Sequence, residues 1–125
     1  MRSATTIGRV RALLLLEAAT FVVAALIHFG MLVGGYGHRK AGTAETVIAV
    51  VLLAGFVSSW APRPWRWRAI IGAQAFAAVG VLVGLFTIAV GVGPRTGPDV
   101  VYHFAILAVL AGGLALALRA MDARR

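Results

Sequence analysis

The sequence predicts an all-α protein: a polytopic four-transmembrane-helix bundle with short loops and both termini cytoplasmic. Three observations lead there. Hydrophobic residues make up 61% of the 125 residues and charged residues only 13%, about half the charge of a soluble domain. The mean hydropathy is +0.93. Four apolar runs separated by short Gly- and Pro-rich links each reach the roughly 17–25 residues that a spanning helix needs. These values exclude a water-soluble globule, a disordered chain and a soluble enzyme with a large cleft.

The first helix is expected over about 12–35, interrupted only by Glu17, Thr20 and His28. It is longer than the apolar core of a signal peptide, and Glu17 breaks it, so it reads as a retained span. The second, the shortest, is expected over about 43–60, the third over 69–92 and the fourth over 99–119. Lipid offers the backbone no hydrogen-bond partners, so each run must be helical. The links are residues 34–42, a second opening with Pro62-Arg63-Pro64, and a third running from Gly93 to Pro98. None is long enough for a soluble domain, so residues 1–125 read as a single integral membrane domain.

Orientation follows from the basic residues. Arg2, Arg9 and Arg11, then Arg63, Arg66 and Arg68, then Arg119, Arg124 and Arg125 fall on one side; Arg39, Lys40 and Arg95 fall on the other. The richer side is expected to be cytoplasmic, in a multi-pass protein of the cell membrane. The formal charge of +8 therefore reads as a topology signal, with the lipid bilayer as partner and no nucleic acid. Trp60, Trp65 and Trp67 are expected at the inner interface, interleaved with arginines as an anchor, and Tyr36 and Tyr102 at the outer one. With no cysteine in the chain, disulfides and thiolate chemistry are excluded.

Two sets of small residues are expected to pack helices: Gly80 and Gly84 on the third helix, Gly112 and Gly113 on the fourth. Small residues let backbones approach in lipid. The first reading is seams within one bundle; the second is a face for a homo-oligomer or a larger membrane complex.

Ionisable side chains inside a span are costly and mark candidate sites. The chain has Glu17, His28, Glu45, Asp99 and His103 in or at the ends of its helices. All but Glu17 are expected in the outer third of the membrane. Glu17 and His28 are 11 positions apart, on one face and separated by ~16 Å. Gln74 is expected at the depth of Glu17, where it would hydrogen-bond the carboxyl; the alternative is a proton-coupling role for this pair. Thr96 and Asp99 form a capping box, Glu45 suits a helix N-terminus, and His38 reads as a loop residue. Against these structural roles stands a shared site. His28, Glu45, Asp99 and His103 could ligate a divalent transition metal, His28 and His103 could be axial ligands of haem, and a His–carboxylate pair could shuttle protons. His28 and His103 are expected to meet across the seam between the first and fourth helices, with Glu45 or Asp99 as neighbours. Ser58 and Ser59 are too far from them for a Ser–His–Asp arrangement. Three functions remain open: a metal or haem protein, an accessory or scaffolding subunit, and a small oligomeric proton-coupled transporter.

Overall fold

Backbone that finds no water must bond to itself, and four helices do so in the computed structural model, which describes residues 2–62 and 64–123. They are α1 (Arg2–His28), α2 (Arg39–Ser58), α3 (Trp65–Ala89) and α4 (Gly97–Asp122). All four are long and apolar enough to cross a membrane. Arg63, Arg124 and Arg125, which contribute to the expected orientation, lie outside the described residues.

Helix boundaries depart from the apolar runs, because backbone bonding does not stop where hydropathy does. α1 begins ten residues earlier than expected and ends at His28 instead of residue 35. Gly30 takes a positive φ of 73°, and the Met31 N–H turns back onto the Leu26 carbonyl at 2.9 Å, a left-handed helix stop that glycine permits. Residues 29–37 then close a loop, with Phe29 bridged to Gly37 and the His38 N–H on the His28 carbonyl at 2.6 Å. α3 starts at Trp65, directly after Pro64, and ends in the same way: Gly91 has φ 83°, and the Val92 N–H reaches the Thr87 carbonyl at 2.9 Å. α4 starts on the expected capping box, with Asp99 N–H donated to Thr96 Oγ1 at 3.3 Å and Thr96 N–H to Asp99 Oδ2 at 3.1 Å.

The helices form a ring in chain order. α1 packs on α2, α2 on α3 and α3 on α4, while the closing α1–α4 seam is thinner. Four spans place both described ends of the chain, with the 59–64 link, at one end of the bundle (the terminal end). The 29–38 and 90–96 links lie at the other (the loop end). Between them Phe21, Ile48, Leu52, Ala77, Val81, Ile106 and Leu110 form the buried middle.

Glycines set the seams. A Cβ at Gly80 would lie 2.7 Å from Ile48 Cδ1, one at Gly84 2.5 Å from His103 Nε2, and one at Gly113 2.2 Å from Gln74 Nε2. Gly55, outside the two expected glycine sets, is a further close approach: a Cβ there would lie 2.6 Å from the Ala73 Cβ. Gly112 departs from expectation: nothing lies within 4 Å of its Cβ position, because it is one residue, and so about 100°, around the helix from Gly113. At the terminal end Arg11 ties α1 to the end of α2, donating to Ser59 Oγ at 2.8 Å and to the Ser59 carbonyl at 3.0 Å, with its guanidinium 3.9 Å from the Trp60 ring centre. Trp60 and Trp65 are exposed, as an interfacial anchor requires. Trp67 is instead buried in the core, because two positions along a helix turns a side chain to nearly the opposite face.

Candidate functional site

The polar residues fall into two separate groups. The first is deep and simple. Glu17 on α1 and Gln74 on α3 are both fully buried, and the Gln74 amide nitrogen donates to the two Glu17 oxygens at 3.1 and 3.2 Å. Burial without water demands such pairing. Gly113 on α4 leaves the space into which the pair fits.

The second group, at the loop end, draws on three helices and two links. His28 is the last residue of α1 and is 3% exposed. Its Nδ1 lies 2.7 Å from Glu45 Oε2 on α2, and its Nε2 lies 3.2 Å from Asp99 Oδ1 on α4. The imidazole thus bridges two buried carboxylates. Asp99 is also the capping residue of α4, so its structural and site roles coincide. Its Oδ2 accepts from the Thr96 hydroxyl and from the Tyr36 hydroxyl, and Tyr36 Oη lies 3.0 Å from Thr96 Oγ1.

Tyr36 reaches Asp99 because the 29–37 loop folds back. Its ring stacks on the His28 imidazole, with centres 5.7 Å apart and planes 29° apart. Burial, and then the bond to Asp99, hold its hydroxyl above the ordinary tyrosine range, so it remains a donor at neutral pH. From sequence, Tyr36 is expected only as an interfacial aromatic and Thr96 only as a cap. No spacing rule pairs a tyrosine between glycines with an aspartate 63 residues later; the only signal was its position in a loop next to a buried histidine.

His103 does not join this group. Its Nδ1–H donates to the Asp99 carbonyl one turn back, at 2.7 Å, and its other edge faces Gly84 on α3. The partner of His28 across the α1–α4 seam is Asp99, because residues 99 and 103 are about 40° apart around α4 and the cap turns Asp99 toward α1. The structure therefore brings together the side chains of His28, Glu45 and Asp99, while His103 bonds the Asp99 backbone carbonyl and not its carboxylate.

This geometry bears on ligation. Metal donors converge on one point. Here the two carboxylates occupy opposite ring nitrogens of one imidazole, and among the described residues no group of three or more His, Asp or Glu side chains is arranged to hold a metal ion. Both His28 nitrogens are engaged by carboxylates, while the His103 Nδ1 bonds the Asp99 carbonyl and its Nε2 edge faces Gly84, so the two rings are not arranged as a pair of axial ligands.

Two cavities flank the cluster. One, of about 690 Å³, lies between α1 and α4, with His28, Tyr36, Thr96 and Asp99 at its polar end. The other, of about 190 Å³, lies among α2, α3 and α4 and is lined by Glu45 and His103. Tyr102 borders both, and its buried hydroxyl has no partner among the described residues. No known protein family, curated protein or solved structure matches the chain.

Proposed function

We propose that this chain is a multi-pass protein of the cell membrane, with both termini cytoplasmic, and that His28, Glu45 and Asp99 form a proton-exchange site near the outer face. The uneven distribution of arginine supports the orientation. The observation that carries the site is the bridging of one buried imidazole between carboxylates from two other helices.

Each His28 nitrogen faces a carboxylate oxygen, so each contact needs a proton. The requirement is met by an imidazolium between two carboxylates, or by a neutral imidazole with one protonated carboxyl. The two arrangements have the same number of protons and differ only in where one sits, which is how a His–carboxylate pair passes a proton. His28 and Asp99 border one cavity and Glu45 the other, so the relay runs across the bundle near one membrane face. The apolar middle around Phe21, Leu52, Val81 and Leu110 separates it from Glu17 and Gln74. Exchange with one side of the bilayer follows, which suits binding or sensing by a single chain.

Infrared difference spectroscopy of the purified protein in lipid, between acidic and neutral pH, tests the reading. With Glu17→Gln as background to remove the other buried carboxyl, a carboxyl C=O change is expected. It should vanish in Glu45→Gln and shift in His28→Gln. An identical spectrum in Glu45→Gln would leave the cluster a purely structural tie.

A further inference from the structure

We propose that the cavity between α1 and α4 is a binding site for an amphipathic organic cation, an ammonium or phosphonium group on an apolar body, whose charge rests against the His28–Asp99 end. The inference rests on the proton-exchange reading for the charge of the cluster.

Shape is the first argument. The cavity of about 690 Å³ falls within the roughly 300–1,000 Å³ of small-molecule sites. On α1 its wall runs from Ala19 to His28, a rise of ~14 Å. Val23 and Val33 on its rim are 49% and 47% exposed, so a ligand can enter sideways from the hydrocarbon without crossing a polar barrier.

Charge is the second. Both proton arrangements that satisfy His28 leave the three groups with one net negative charge, since two carboxyls and one imidazole then share a single added proton. Among the described residues neither Glu45 nor Asp99 has a Lys or Arg within ion-pair distance; His28 is their partner. A net charge in a low-dielectric site favours a counter-ion. Asp99 already receives bonds at both oxygens from His28, Tyr36 and Thr96, so a ligand that needs no hydrogen bond fits better than a donor-rich one. Tyr36 and Tyr102 line the same cavity, and aromatic rings attract organic cations through their faces. An apolar body, aromatic walls and an uncompensated negative end together describe this ligand class.

The test uses two ions of matched shape and opposite charge. Tetraphenylphosphonium and tetraphenylborate are titrated calorimetrically into the full-length protein in mild detergent. Tetraphenylphosphonium is expected to bind, and tetraphenylborate to bind on the order of tenfold more weakly or not at all. Glu45→Gln removes one carboxylate without touching the α1–α4 cavity wall; with His28 held as imidazolium at acidic pH it takes the cluster from one net negative charge to none and should there weaken tetraphenylphosphonium on the order of tenfold. Thr20→Phe, at a half-buried wall position, should block it while the protein still melts cooperatively; Gly112→Ala should leave it unchanged. Equal binding of the two ions, or binding insensitive to Thr20→Phe, overturns the proposal in favour of a lipid-filled apolar groove. If the infrared change is present and tetraphenylphosphonium does not bind, the proton site stands and the cation site falls. If tetraphenylphosphonium binds and Glu45→Gln alters neither affinity nor spectrum, the charge assignment to this cluster is wrong.

Discussion

Asp99 shows how one residue serves the fold and the site together. Its backbone and carboxylate close the capping box of α4, while its other oxygen holds His28. Tyr36→Phe removes a donor from that carboxylate and nothing from the ring stack. A hydrogen bond to a charged group contributes about 1.5–3 kcal/mol, and thermal melts in detergent should show a loss of that order. Phe at 36 with unchanged stability would mean that Thr96 alone satisfies Oδ2. At the other buried pair, Glu17→Gln keeps one oxygen to accept from Gln74 Nε2 and supplies a donor for Gln74 Oε1, which has no partner among the described residues, so it should be tolerated within about 1 kcal/mol, whereas Glu17→Lys leaves a buried cation against an amide nitrogen and should abolish the folded protein. Gly113→Ala would set a methyl 2.2 Å from Gln74 Nε2 and 2.8 Å from Glu17 Oε1, displacing the amide from Glu17, its partner among the described residues. The expected cost is about 1–3 kcal/mol, read from the same melts.

Between elements, close approach decides where glycine is required. Gly80 and Gly112 lie on α3 and α4 and look alike in sequence, yet one faces Ile48 and the other faces nothing within 4 Å. Gly80→Ala should destabilise by about 1–3 kcal/mol through overpacking. Gly112→Ala should be neutral or stabilising by up to about 1 kcal/mol, since alanine is the better helix former. Destabilisation at Gly112 would reveal a second chain on that face. Gly84→Ala should push the His103 ring off the Asp99 carbonyl, and His103→Ala in the same chain should recover part of the loss. Additive losses in that double variant would show that the two side chains do not share the seam.

For the molecule as a whole, four helices bring both described ends of the chain to one end of the bundle, and the proposed orientation, which rests on the arginines, assigns that end to the cytoplasm. A reporter fused after Arg125 should be active only in the cytoplasm; periplasmic activity would reverse the orientation and move the His28 cluster to the inner face. Reversing the arginine excess should be more disruptive than any single arginine change, because the rule acts through the summed charge of the loops.

The number of helices, their being long and apolar enough to cross a membrane, and the Thr96–Asp99 cap were legible in the sequence, because hydropathy and capping are local properties of a few neighbouring residues. The Glu17–Gln74 bond was also legible: two buried polar groups at one depth in lipid have few other partners. What only the tertiary structure decided was direction. The stop at Gly30 and the closing of residues 29–37 carry Tyr36 over His28, and helix rotation turns Asp99 to α1 and His103 to α3. Depth follows from counting along one helix, but the angle at which two helices face each other depends on every side chain in the seam between them. That is why depth alone could mark His28 as a candidate with Glu45 or Asp99 as neighbours, and could not decide whether Asp99 or His103 meets it from α4.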